Sequence, residues 1–473
     1  MLNDFFYEQI RNHFPFTPTG QQEEALRMLG DFLFDREPDS LFLLKGYAGT
    51  GKSSLVGAVV KAMDAFQQKS ILLAPTGRAA KVFAGYSGHP AYTIHKKIYR
   101  QKVFSNEPTG FVPADNLHKD TIFFVDEASM ISNDGLDSFV FGSGRLLDDL
   151  LHYVYSGENC RLILMGDTAQ LPPVAQTASP ALMPETLRSY GLQIREITLT
   201  EVVRQDSMSG ILQNATRLRM ALDKEDVYGF PRLQIGDNVF SLSGQDLIEA
   251  IDTAYSRDGM EETIVITRSN KRANIYNQGI RNRILYREEE VSSGDLLLVA
   301  KNNYFWGEQQ KAMDFIANGD ILEIRRIRKM QELYGFRFCD ITAVFPDYDD
   351  VELDLKILLD TLHTEAPGLP KEQNDVLFQR IIEDYADLTV FREKMKRLKT
   401  DLYYNAVHVK YAYALTCHKA QGGQWKNVFL DFGYLTEEHL GIDFYRWLYT
   451  AFTRATERVY LVNLPEAFKN QKN

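Results

Sequence analysis

The chain has 473 residues, 44% of them apolar, and a formal net charge of −11. That length argues for two to four domains with sizeable cores, and the acidic balance argues against coating nucleic acid by bulk charge, though not against a narrow basic groove. Three scattered cysteines (Cys160, Cys339, Cys417) fit neither a zinc spacing nor a disulfide framework and suggest a reducing, cytoplasmic setting; no run of 18 apolar residues suggests a membrane span, and "MLNDFFYEQIRNHFPF" lacks the basic start and continuous apolar stretch of a signal peptide.

The first 190 residues alternate strand and helix. "SLFLLKG" (40–46) is a short apolar run, followed by a glycine-rich turn and the helix-like "SSLVGAVVKAMDAF" (53–66). "SILLAPT" (70–76), "TIFFVDE" (121–127) and "RLILMGD" (161–167) are further buried-strand candidates, each ending in polar residues. Continuous apolar strands separated by helices indicate a parallel sheet, with functional groups at the strands' carboxyl ends.

"GYAGTGKS" (46–53) matches the spacing of a phosphate-binding loop between a strand and a helix. Its glycines, Gly49 and Gly51 with Thr50 between them, let backbone N–H groups face phosphate oxygens, and the helix N-terminus adds a favourable dipole. Lys52 would reach the β- and γ-phosphates, and the Ser53 hydroxyl would hold Mg²⁺. "FFVDEASM" (123–130) delivers two carboxylates to a strand end. Asp126 would hold Mg²⁺ through water, and Glu127 would orient or deprotonate the attacking water. An Asp-Glu pair at a strand end is common by itself; beside the loop it points to Mg²⁺-dependent hydrolysis of a nucleoside triphosphate. A turn-rich insertion at about 98–118, containing "NEPTG" and "VPADN", reads as a hairpin.

A second group of apolar segments follows: "REITLTEV" (195–202), "ETIVITRS" (262–269), "AVHVKYAYALT" (406–416), "NVFLDF" (427–432) and "RVYLVN" (458–463). It reads as a second α/β domain made of two pieces. Between them "GDLLLVAKNNYF", "NGDILEIRRI" and "GFRFCDITAVF" read as short β strands, and roughly 370–399 as charged helix. Local basic stretches occur at 77–81, 95–102, 325–329 and 394–399. Near the end, "LYTAFTRATERVYLV" (448–462) places Arg454 between an apolar helix and a strand, where the helix dipole alone would favour a cation. Two α/β domains fit a motor with nucleotide in the cleft between them; a small-molecule kinase needs only one.

In order along the chain, these segments resemble superfamily 1 helicases of the 5′-to-3′ RecD/Dda-like branch. "TGQQEEAL" (19–26) resembles the adenine-reading Q motif, with Gln22 in register; "APTGRAAK" (74–81) and "YTIHK" (92–96) look like motifs Ia and Ib; "DEASM" is the branch's form of motif II. "GDTAQLPPV" (166–174), "LTEVVRQ" (199–205), "YALTCHKAQGGQW" (413–425) and "LYTAFTRA" (448–455) resemble motifs III to VI. The resemblance covers roughly 15–465. It implies an α/β fold of two RecA-like parallel-sheet P-loop domains, formed by 1–97 with 119–190 and by 191–290 with 406–473. A pin-like hairpin at 98–118 and an SH3-like, β-barrel-like plus helical subdomain at 291–405 would be inserted.

It also implies roles. ATP and Mg²⁺ would be the cofactors, with Gly422 at the nucleotide. Arg454 would be an arginine finger and Arg204 its companion, acting on the charge that phosphoryl transfer spreads over equatorial oxygens. Gln170 would report the γ-phosphate to the nucleic-acid groove; a surface Gln beside a Pro-Pro turn is the plainer reading. Pro75, Thr76, Thr93 and His95 on one domain, and Thr416 and His418 on the other, would grip the strand without reading sequence. Capping and turn roles, and structural histidines, remain open for these. Phe104 or Phe111 would either stack on the fork or pack the hairpin. Trp306 and Trp425 are better explained by buried packing. The acidic, Pro-broken arm near 363–388 is not expected along the nucleic-acid backbone. The implied activity is 5′-to-3′ translocation on single-stranded DNA with duplex unwinding, by a monomer, with a single-stranded-DNA-binding protein as a candidate partner. RNA or RNA–DNA hybrid unwinding and a nucleotide-switched clamp are the alternatives.

Overall fold

Alternate residues of the strand Ser40–Gly46 point to opposite faces, and both faces are buried: Phe42 and Leu44 enter one core, Leu41 and Leu43 another. The computed structural model describes residues 2–34, 37–101, 111–135, 142–202, 209–307, 313, 315–366 and 368–468. Helices Leu2–His13, Gly20–Phe34 and Lys52–Ala65 cover the first face, and helix Leu146–Ser156 covers the second. The sheet so formed is parallel throughout. Its spatial order is Ala91–Thr93, Lys69–Ala74, Thr121–Val125, Arg161–Gly166, Ser40–Gly46, Gln193–Leu199.

The last of these strands corrects an expectation. The segment 195–202 was assigned to the second domain, but Gln193–Leu199 pairs in parallel with Ser40–Gly46, from Ser40 opposite Gln193 to Gly46 opposite Leu199. Its largely polar sequence, only partly buried before Leu199, is that of a half-exposed edge strand. Such a pattern says that a strand lies at an edge, not at which sheet's edge.

The second parallel sheet has the order Ala414–Thr416, Thr263–Thr267, Trp425–Asp431, Ala455–Val462, Val239–Leu242. The edge strand Val239–Leu242 has only four residues, too few for a periodic signal. The segment 406–416, expected as one strand of this sheet, is two. Val407–Tyr411 closes the inserted barrel against Leu296–Val299 and Val351–Leu358, and Ala414–Thr416 enters the second sheet. The barrel is completed by Ile321–Leu333 and Phe336–Phe345, joined through Tyr334 and Gly335, both at positive φ as a two-residue hairpin turn requires.

The helical arm, Lys371–Glu383 and Phe391–Leu398, rests on the barrel: Leu377, Ile381 and Leu398 share a small core with Phe336, Phe338 and Leu358. The smaller insertion begins as an antiparallel pair, Tyr99–Gln101 with Phe111–Pro113. Phe104 lies outside the described residues, as does Arg204. This is the expected fold class: two RecA-like parallel sheets with an inserted hairpin and an inserted barrel-plus-helical body. Trp306 and Trp425 are buried, as expected for packing. No helix among the described residues is long and apolar enough to cross a membrane.

Candidate active site

The strand Ser40–Gly46 ends in a loop that turns back at Gly49 (φ 79°) and Gly51 (φ 85°) before helix Lys52–Ala65 begins. At Gly51 a Cβ would also collide with the Gln22 side-chain amide. Gln22 is buried; its Nε2 donates to the Thr50 carbonyl at 2.9 Å and its Oε1 accepts from the Thr19 amide at 3.1 Å. It therefore buttresses the loop, a use that the resemblance to an adenine-reading motif does not anticipate. The Lys52 ammonium lies over the loop, donating to the Gly46 and Tyr47 carbonyls.

The neighbouring strand Thr121–Val125 brings Asp126 and Glu127 to the same mouth. Asp126 Oδ1 accepts from the Glu127 amide at 2.8 Å, and Oδ2 accepts from the Tyr86 hydroxyl. Burial, and then the charge of Glu127, push the Asp126 carboxyl up to about 6. Ser53 lines the same cleft. A hydroxyl and a desolvated carboxylate pair form a hard-oxygen donor set that suits Mg²⁺.

These groups face a cleft of about 750 Å³ whose far wall is the second sheet's domain. Gly422, Thr453 and Arg454 line it. Arg454 follows helix Ile442–Phe452 and is only 4% exposed, so its charge must be satisfied internally. Its Nε donates to the Thr450 carbonyl at 3.2 Å, a bond to the end of its own helix. Its Nη1 also reaches across to Glu127 Oε1 at 3.4 Å. The helix-terminal role and the cross-cleft role are thus both served by one side chain.

Six further contacts tie the walls together. The Ala48 amide in the phosphate loop donates to the Tyr449 hydroxyl at 2.9 Å, and that hydroxyl donates to Asp167 Oδ2 at 2.6 Å. The Leu171 amide donates to Thr450 Oγ1 at 2.9 Å, and Gln421 Nε2 donates to the Leu171 carbonyl at 2.7 Å. The Arg78 guanidinium sits 4.1 Å from the Trp425 ring centroid and donates to the Gln424 carbonyl at 3.0 Å. Gln170 lines the cleft between these contacts, buried, with its Oε1 unpaired among the described residues. Of these residues, Arg78, Asp167, Tyr449 and Thr450 fall inside the quoted motifs without a role of their own, and Tyr86 falls in none.

The strand-gripping candidates divide. Thr76 Oγ1 accepts from the Ala79 amide and Thr93 Oγ1 from the Lys96 amide, both at 3.2 Å, as helix caps. Burial holds the His95 imidazole down at about 4, and His418 also below its usual range, so both rings are neutral at pH 7. Thr416 precedes the short helix Cys417–Ala420 and makes no side-chain cap. Gly422 (φ 74°) presses on the start of helix Gly77–Ser87: a Cβ there would lie 2.8 Å from Ala79 Cβ and 3.4 Å from Thr76 Oγ1. Thr76 therefore meets the second domain's loop, with Pro75 its chain neighbour, whereas Thr93 and His95 lie farther along the first sheet's edge. Phe111 pairs through its backbone with Gln101.

The AAA-domain family matches residues 19–228, and the UvrD-like helicase C-terminal domain family matches residues 411–462. These two matches fall on the two walls of the cleft. Both matches agree with the resemblance to superfamily 1 helicases of the RecD/Dda-like branch. It is 25% identical over 464 residues to the ATP-dependent RecD2 DNA helicase of Deinococcus radiodurans, covering 95% of this chain and 50% of that one. It is 23% identical over 369 residues to the ATP-dependent DNA helicase dda of Enterobacteria phage T4, covering 76% and 72%. A protein of Acanthamoeba polyphaga mimivirus, R530, is 22% identical over 514 residues, covering 93% and 98%. The chain thus spans half the length of the RecD2 relative. The solved Pif1 helicase from Bacteroides with ADP-AlF3 and ssDNA overlays with a TM-score of 0.47 at 14% identity, over 97% of this chain and 95% of that one.

Within this two-sheet core, Tyr449 offers a direct test of the closed cleft. Tyr449→Phe removes a buried hydroxyl and orphans both the Ala48 amide and an Asp167 oxygen, at a cost of about 1–3 kcal/mol. The urea midpoint of the ligand-free protein should fall accordingly, and an unchanged midpoint would show that water replaces the bridge.

Proposed function

We propose that the chain is an ATP- and Mg²⁺-dependent DNA helicase that moves 5′-to-3′ along single-stranded DNA and separates duplex at a fork. The observation that carries this reading is Arg454, buried at the cleft and reaching Glu127 from the opposite domain. Such a group is useful when the two walls must close on a phosphate. Lys52 and Arg454 would meet the charge that spreads onto the transferred phosphoryl oxygens from two sides. Glu127 would orient the attacking water, and Ser53 and Asp126 would hold Mg²⁺, which supplies charge neutralisation at the phosphates. Loss of the γ-phosphate removes what Lys52 and Arg454 share, so closure and opening form a cycle.

The cycle moves a strand if the gripping groups on the two walls alternate. Thr76 meets the Gly422 loop across the cleft, and Thr416 precedes the short helix that leads into that loop, which supports a coupled grip. The inserted hairpin is the candidate strand-splitting pin. The 5′-to-3′ sense rests on the resemblance to the RecD/Dda-like branch, and the choice of DNA is supported by the names of the RecD2 and phage relatives. A monomeric cytoplasmic motor, with a single-stranded-DNA-binding protein as partner, completes the proposal.

Two DNA duplexes, one with a 5′ tail and one with a 3′ tail, test it with ATP and Mg²⁺. Separation of the 5′-tailed duplex alone is expected. Separation of the 3′-tailed duplex alone would reverse the polarity. Stimulated ATP hydrolysis without separation of either would favour a translocase or switched clamp.

A further inference from the structure

Asp126 is held by two donors, and only one belongs to its own strand end. The other, Tyr86, comes from helix Gly77–Ser87. The Tyr86 ring stacks on Phe83 with centroids 5.1 Å apart, which fixes its direction. Its hydroxyl reaches Asp126 Oδ2, and Ser53, Tyr86 and Asp126 line the same cleft. The phenol therefore sits in the cleft with the two side chains best suited to Mg²⁺.

The helix that carries Tyr86 is anchored along its length. Thr76 caps its start, and Lys81 bonds to the Pro346 carbonyl at 2.7 Å on the inserted barrel. Gly77 packs so close to the barrel that a Cβ would stand 2.7 Å from Asp320 Oδ1 and from the Tyr348 hydroxyl. At its other end, Gly57 of the phosphate-loop helix lies against Tyr86, where a Cβ would come within 3.0 Å of the Tyr86 carbonyl. The hydroxyl is thus delivered by a clamped element and not by a mobile loop.

We propose that Tyr86 is a positioning residue for the metal site: its hydroxyl and the Glu127 amide together fix the Asp126 carboxylate, leaving the remaining lone pairs facing the cleft beside Ser53. A carboxylate accepts about four hydrogen bonds, so two donors orient it without exhausting it. Partners of this kind typically change metal affinity or activity by about 10–100-fold when removed. No sequence motif marks the position, since a tyrosine ten residues past Thr76 on a helix reads as ordinary packing. This inference rests on the proposed Mg²⁺–nucleotide site.

Tyr86→Phe keeps the ring and its stacking on Phe83 and deletes only the donor. The readout is the Mg²⁺ concentration that half-saturates ADP binding, measured by calorimetry on the full chain alongside its thermal midpoint. Tyr86→Phe should raise that concentration about 10-fold while leaving metal-free ADP affinity unchanged. In an Asp126→Asn background the same change should have no further effect, because the oriented group is gone. An unchanged Mg²⁺ requirement in Tyr86→Phe, or an equal added loss on top of Asp126→Asn, would overturn the proposal. If the wild-type protein itself binds ADP without any Mg²⁺ dependence, the fault lies with the metal–nucleotide reading, and the Tyr86 proposal falls with it.

Discussion

Lys52→Ala should leave a folded protein whose ATP turnover is lower by about 10³-fold or more, and which no longer separates duplex. The ammonium is already aimed over the phosphate loop, held by the Gly46 and Tyr47 carbonyls at 2.5 and 3.0 Å. Binding a triphosphate exchanges those acceptors for charged oxygens inside a water-poor cleft, where a cation acts far more strongly than in bulk water. The cost to the fold is limited, because the Tyr47 carbonyl left behind still accepts from the Thr50 hydroxyl at 2.8 Å. Single-strand binding should stay within a few-fold of wild type, since the gripping candidates Pro75, Thr76 and Thr416 lie apart from the ammonium. Phosphate release with and without single strands, and titration of a labelled oligonucleotide, check both halves. Retained hydrolysis would overturn the assignment of the catalytic site.

Arg454→Ala should act differently on kcat and KM. The guanidinium is buried and reaches Glu127 only because the two walls are closed. Its charge is then available where phosphoryl transfer develops charge, so kcat should fall by about 10³-fold with a much smaller change in KM for ATP. Arg454→Lys should recover part of the loss: a lysine supplies the charge, but not the fork that simultaneously bonds Thr450, Gly423 and Glu127. Steady-state hydrolysis with saturating single strands separates the possibilities. A raised KM with unchanged kcat would make Arg454 a latch for the closed cleft and not a group acting on the reaction.

The part of the site nearest the phosphates was legible because its chemistry demands local sequence. A loop that faces phosphates with backbone amides needs glycines where φ is positive, as at Gly49 and Gly51, and a lysine and hydroxyl at fixed spacing. Two carboxylates at the end of an apolar strand are likewise a local pattern, and both sheets' inner strands announce themselves because both faces are buried. Tyr86 and Tyr449 carry no such signal. Each acts through one hydroxyl brought to its partner by chain folding, Tyr86 across 40 residues to Asp126 and Tyr449 across 282 to Asp167.

Sequence by itself therefore determined the class of fold, and it marked the glycine-rich loop, the paired carboxylates and the arginine that the structure places around one cleft. Those features are set by short-range periodicity and by residue types that few other roles require. Tertiary structure alone decided the sheet membership of Gln193–Leu199, the division of 406–416 between barrel and sheet, and the turning of Gln22 toward Thr50. It also decided that Arg454 meets Glu127. Edge pairing and long-range hydrogen bonds depend on which surfaces are brought together, and no period within one segment encodes its distant partner.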